Sequence, residues 1–182
     1  MAKAIGMIEF KTVSAGITAA DQMVKAAQVE ILEAQVVCPG KYIALISGEL
    51  SAVKASVEVG ISTRSDEYID SFVLGNPDES IFAAIYGSAI VEGVDALGVL
   101  ETYDASAIIV AADTAAKTAN VTLIELRIAK GMCGKSYMLI TGEVAACEAA
   151  IEKAKASVGE GGMFLDSSVI AAPDSQIIKN IV

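Results

Sequence analysis

Ile5-Gly6-Met7-Ile8-Glu9 returns 92 positions later as Leu97-Gly98-Val99-Leu100-Glu101, and the organisation of the whole chain follows from that return. At the same offset Ala19-Ala20-Asp21 and Lys25 return as Ala111-Ala112-Asp113 and Lys117. Gly40-Lys41 and Leu45-Ile46-Ser47-Gly48-Glu49 return at 94 as Gly134-Lys135 and Leu139-Ile140-Thr141-Gly142-Glu143. Asp70-Ser71, Val73, Pro77-Asp78 and Ile81 return at 96 as Asp166-Ser167, Val169, Pro173-Asp174 and Ile177. The offset grows in two steps, so the second copy carries short insertions at loop positions. Matched blocks in one order mark a tandem duplication, and a repeat of roughly 90 residues is a domain rather than a solenoid unit. The copies are expected at 1–90 and 94–182, joined by the loop Gly87–Ala96.

Within a copy, periodicity sets the elements. Ala4–Phe10 is a short apolar run suited to a strand, and Ala15–Gln28 places Ile17, Ala20, Val24 and Ala27 on one helical stripe. Val29–Val37 is rich in β-branched residues, Pro39-Gly40 breaks it, and Tyr42–Ser47 follows as its neighbour. Leu50–Val59 reads as a helix closed by Gly60 at C′. Tyr68–Leu74 is a strand, and Pro77 opens a terminal helix at Asp78–Tyr86. The order β-α-β-β-α-β with an extra helix predicts an α/β (α+β) chain of two tandem ferredoxin-like domains.

Composition narrows the chemistry. The 182 residues carry 13 Lys plus Arg against 23 Asp plus Glu, a formal charge of −10, with no basic cluster to follow a nucleic-acid backbone. The mean hydropathy is +0.56, yet the longest stretch free of charge is Ser80–Val91, short of the roughly 20 apolar residues a membrane span needs. The start runs directly into a strand pattern rather than a secretory leader, so a cytosolic setting is expected. Histidine is absent, which removes Ser-His-Asp triads, Cys-His dyads and His-ligated zinc. Three cysteines, Cys38, Cys133 and Cys147, are too few for a disulfide framework, and a thiolate metal site would need other subunits.

The repeated residues resemble a known domain. Ile5-Gly6-Met7-Ile8-Glu9, Ala19–Ala27, Gly40-Lys41-Tyr42 and Ser47-Gly48-Glu49 are similar to the bacterial microcompartment shell domain, and the pattern occurs twice over nearly the whole chain. The order of its parts matches the unpermuted tandem-domain shell proteins. The stretch Cys38-Pro39-Gly40-Lys41 resembles the iron–sulfur-binding members from propanediol-utilisation compartments. That resemblance implies a pseudohexameric homotrimer set edge to edge with other shell proteins. It implies loop residues Pro39, Gly40, Lys41, Met132, Cys133 and Gly134 around a central pore, and encapsulated redox enzymes as partners. It further implies one [4Fe–4S] cluster per trimer, held by Cys38 from each chain, for electron transfer across the shell or cluster delivery. Three symmetry-related thiolates suit the three-fold axis of a cubane, with the fourth iron left to water, a small ligand or a partner's side chain.

Blander readings stand beside these. Cys38 is otherwise a free cysteine acting as a small hydrophobe. Met132 aligns with Cys38 and would narrow the pore; Cys133 beside it lines the pore, offers a second thiolate ring or has no role. Cys147 replaces Val53 of the first copy and is expected in the core. Lys25 and Lys117 match tile-edge lysines in the resembled family; as i,i+4 partners of Asp21 and Asp113 they would contribute only ~0.2–0.5 kcal/mol each. Lys41 and Lys135, which follow the loop glycines, either offset the acidic surface near an anionic cluster or are solvated loop lysines. Gly159-Glu160-Gly161-Gly162 lacks the Gly-Lys-Ser/Thr of a phosphate loop and precedes a strand. The competing functions are a cluster-free selective or gated metabolite pore and a regulatory ferredoxin-like module that binds a small ligand between its copies.

Overall fold

The computed structural model describes residues 4–181. Its contacts divide into two compact units, 1–77 and 78–182. In the first, β1 (Ala4–Phe10), β2 (Val29–Val37), β3 (Lys41–Gly48) and β4 (Tyr68–Gly75) form one antiparallel sheet ordered β2-β3-β1-β4. Helices α1 (Val13–Ala26) and α2 (Leu50–Thr63) lie on one face. This is the ferredoxin-like order expected from the repeat. The central strand β1 is buried along its whole length. Ala4, Ile8 and Phe10 join the core beneath the helices, and Gly6 lies on that same face because a side chain there would meet Val53 and Val57 at under 3 Å.

Two local expectations are corrected by close packing. The buried face of α1 carries Ala15, Gly16, Ala19, Ala20 and Met23, whereas Ile17 and Val24 of the expected stripe are exposed. The helix sits so close to the sheet that a Cβ on Gly16 would fall 2.3 Å from the Tyr42 ring. Only small residues fit that approach. Gly60 does not end α2, which continues to Thr63. A Cβ at Gly60 would meet Met23 at 2.9 Å, and one turn earlier the Ser56 hydroxyl donates to the Met23 carbonyl at 2.9 Å. Gly60 therefore serves contact between α1 and α2 rather than capping.

The second unit repeats the plan. β5 (Ala96–Thr102), β6 (Thr122–Arg127), β7 (Ser136–Gly142) and β8 (Phe164–Ala171) pair in the order β6-β7-β5-β8, with α4 (Ala105–Thr118) and α5 (Val144–Gly159) against the sheet. Asp104 caps α4 by accepting from the Ala107 N–H at 2.8 Å. Val91 and Val94 of the preceding segment, with Ile181 of α6 (Ser175–Ile181), pack on Leu97, Ile124 and Leu139. The helix α3 (Ser80–Ile85), which the repeat counts with the first copy, packs on β6 and α4 and so lies in the second unit. No helix among the described residues is long and apolar enough to cross a membrane.

Candidate functional site

The two β-hairpin tips at which the repeat diverges are built differently. In the first, β2 ends at Val37 and β3 begins at Lys41, so Cys38, Pro39 and Gly40 form the turn itself. The Gly40 N–H donates to the Val37 carbonyl at 2.8 Å, and Gly40 takes φ +112, which a residue with a side chain rarely adopts. The Cys38–Pro39 peptide is cis. Pro39 and Gly40 are exposed and Cys38 is half-buried. Cys38 thus stands at the apex of the turn, half-buried, with its thiol free of any disulfide.

Lys41 does not point into solvent as a free charge. Its ammonium lies 2.7 Å from the Glu9 carboxylate on β1, the Glu9 side chain being 5% exposed and that of Lys41 27%. The register explains the pairing: Glu9 stands opposite Ile43, which makes Lys41 its diagonal neighbour on the adjacent strand, within reach of a long side chain. The charge of Lys41 is therefore already balanced at the base of the turn.

The second tip is longer. Residues 128–135 connect β6 to β7, with Ala129, Gly131, Cys133 and Gly134 at positive φ. The Ser136 hydroxyl accepts from the Ala129 N–H at 3.0 Å, and the Lys135 N–H donates to the Met132 carbonyl at 3.1 Å. Cys133 is exposed, Met132 and Lys135 are half-buried, and Gly134 is buried. Below this tip the Tyr137 hydroxyl donates to Glu125 at 2.7 Å. Arg127 donates to the same carboxylate at 2.6 Å and lies over the Tyr137 ring. Burial, then the bond to Glu125, pushes the Tyr137 phenol up to about 12.

Because the folded protein holds the Tyr137 proton more tightly than the unfolded chain, this group's stabilisation is complete below the ordinary tyrosine value of about 10. It is lost as pH rises from there through the folded value. Thermal unfolding followed from pH 9 to 12 is expected to fall less steeply in Tyr137→Phe than in the parent. An unchanged slope would show that Tyr137 contributes nothing to the alkaline limb.

The three cysteines differ in environment. Cys147 is fully buried in α5, its sulfur 3.9 Å from the Ala96 carbonyl, and burial pushes its thiol up. A thiolate-directed reagent is expected to modify Cys38 and Cys133 in the native metal-free protein and Cys147 only after denaturation. Peptide mass mapping of the labelled protein checks this, and native labelling of Cys147 would contradict its burial.

The tile-edge candidates sit on equivalent helices in unequal surroundings. Lys25 pairs with Asp21 at 2.6 Å in the open, whereas Lys117 pairs with a nearly buried Asp113 at 2.8 Å. Sequence reasoning missed both the Glu9–Lys41 pair and the Glu125–Arg127–Tyr137 group. The diagonal placement of opposite charges on paired strands was the available signal for the first; no local signal marked the second. Among the described residues, no group of three or more His, Cys, Asp or Glu side chains is arranged to hold a metal ion. Each chain brings one thiol at the first tip, a donor set that fits an iron–sulfur cluster only when several chains share it.

Comparison with known proteins accords with this architecture. The BMC domain matches residues 4–77 and again 96–173. The microcompartment shell protein PduT of Citrobacter freundii is 37% identical across the full chain and 99% of its own length. A crystal structure of a microcompartment protein from Desulfitobacterium hafniense DCB is 41% identical, with a TM-score of 0.95 over 98% of this chain and 99% of that one. The carboxysome assembly protein CcmO of Synechococcus elongatus is 26% identical over 99% of this chain and 69% of its own. With two complete copies of the matching domain and full-length similarity to a shell protein, the chain belongs to the bacterial microcompartment shell proteins, as a tandem-domain member.

Proposed function

We propose that three copies of this chain close into a pseudohexameric shell tile whose central pore is rimmed by the Cys38–Lys41 and Lys130–Lys135 tips. One Cys38 per chain would hold a shared [4Fe–4S] cluster. The observation that carries this reading is the half-buried Cys38 thiol at the apex of a two-strand turn, a poor place for an inert core cysteine. When bound, the cluster supplies a one-electron redox centre. The chain's own residues orient it: Pro39 and Gly40 shape the turn, and the Glu9–Lys41 pair fixes the start of β3 beside it.

The tile is structural, with no turnover of its own; it conducts electrons across the shell or hands clusters to encapsulated redox enzymes. Lys25 and Lys117 serve its edges toward other shell proteins. The test is anaerobic purification and reconstitution with ferrous iron and sulfide, with a coloured protein holding about four irons per three chains as the expected result. A colourless trimer under those conditions would leave a cluster-free pore for small metabolites.

A further inference from the structure

At one end of the second sheet, five polar side chains line a cleft of about 380 Å³: Asp95, Asn120, Thr122, Thr141 and Glu143. Strand geometry brings them together. Ile140 packs on the helix side, where a side chain at Gly98 would meet both Ile140 and Ile151. Thr141, next along β7, therefore turns to the opposite side. Thr122 stands directly across from Thr141 on β6, and Leu97 directly across from it on β5. Asn120, Glu143 and Asp95 lie two residues from Thr122, Thr141 and Leu97, so the same alternation, continued past the strand ends, keeps them on that side.

Thr141 is 5% exposed, and among the described residues its Oγ1 is the buried side-chain oxygen that finds no hydrogen-bond partner. A buried hydroxyl left without a partner is costly, and this one belongs to the wall of a cleft roomy enough for an ion with its water. Asp95 and Glu143 are exposed carboxylates, and the lining holds no lysine or arginine. One feature opposes a cation. Ala146, in the first turn of α5, also lines the cleft, and a helix N-terminus carries about half a positive charge. Two full carboxylate charges outweigh it.

We infer that this cleft binds a divalent cation of the calcium class. The set offers carboxylate, hydroxyl and amide oxygens and neither imidazole nor thiolate, which selects a hard cation over a transition metal. The donors come from three separate segments, and Ca²⁺ accepts roughly six to eight oxygens in adaptable geometry, whereas Mg²⁺ demands a near-ideal octahedron. Asp95 and Glu143 supply the charge, the Thr141 hydroxyl gains the partner it lacks, and water fills the remaining positions. Two carboxylates with neutral oxygens make a site at the weak, millimolar end of calcium binding. The ion ties the segment entering β5 to the turn at which β7 passes into α5. The inference depends on neither the ring nor the cluster.

The test titrates CaCl₂ into the full chain, dialysed free of divalent ions, and follows binding by calorimetry and stability by thermal unfolding. The parent is expected to take up one Ca²⁺ per chain at millimolar concentration and to unfold at a higher temperature as Ca²⁺ is added. NaCl at equal ionic strength is expected to give no comparable rise. Asp95→Asn and Glu143→Gln are each expected to weaken binding roughly ten-fold, and the two together to abolish it. Thr141→Val is expected to weaken binding roughly three-fold while raising the unfolding temperature of the ion-free protein, because the unpartnered hydroxyl is gone. A residue that only packs would not couple those two changes. Glu160→Gln, at the far end of α5, is expected to leave binding unchanged. A parent that takes up no Ca²⁺ would overturn the inference. So would uptake that persists in the double variant, which would place the ion elsewhere on the acidic surface. Stabilisation by inorganic phosphate instead of CaCl₂ would overturn it too, showing that the α5 N-terminus prevails over the carboxylates.

Discussion

Cys38→Ser protein, purified without oxygen and reconstituted with iron and sulfide, is expected to bind no cluster, and the parent is expected to bind about four irons per three chains. The difference rests on the ligand atom: iron–sulfur clusters are held by thiolates, and a serine hydroxyl in the same turn offers a far less acidic, harder donor. Cys133→Ser is expected to retain the parent's iron content, because Cys133 sits on the longer second tip, where the residue aligned with Cys38 is Met132. Loss of iron in Cys133→Ser but not in Cys38→Ser would move the ligand ring to the second tip. Thermal unfolding of metal-free Cys38→Ser should match the parent, since the turn is held by the Gly40 N–H to Val37 bond and not by the thiol. Iron content and stability together separate a lost ligand from a lost fold.

Lys41→Met is expected to destabilise the chain by roughly 3 kcal/mol, the low end of what breaking a buried pair costs, because water still reaches the ammonium. The loss comes mostly from Glu9, whose carboxylate would remain buried on the central strand without its counter-charge. Replacing both partners, as Glu9→Gln with Lys41→Met, is expected to restore most of the stability, since a buried pair against matched neutral residues is close to even. Urea unfolding of the two single variants and the double variant measures the coupling. If Lys41→Met unfolds at the parent's midpoint, the pair does not anchor the base of the turn. Lys41→Met is also expected to loosen the Cys38 turn, which faster alkylation of Cys38 in the metal-free protein would report.

The fold was legible because its signals are local and stated twice. The strand Val29–Val37 matches the expectation residue for residue, and the Pro39-Gly40 break falls at the turn. What the sequence concealed depends on distances between elements. Ile17 and Val24 look like core residues until the sheet comes so close to α1 that a side chain at Gly16 would collide with Tyr42, and the buried face passes to Ala15, Gly16, Ala19, Ala20 and Met23. Gly60 looks like a helix stop until Met23 is placed against it. The same limit governs the site: the position of Cys38 could be read from the turn. That Glu9 neutralises Lys41, and that Asp113 is buried where Asp21 is open, depends on pairing and coverage no local pattern encodes.

The covering of β6 by α3 has a consequence for how a ring of these chains responds to dilution. That joint forms within one polypeptide, at an effective concentration set by the connecting segment and independent of how much protein is present. In the proposed trimer the contacts between chains are bimolecular instead, and each would cost translational and rotational freedom on the order of 4–15 kcal/mol. A ring of fused pairs forms half as many such joints as a ring of single domains. In the proposed tile, duplication would thus lower the concentration at which a complete ring persists, without strengthening any individual contact.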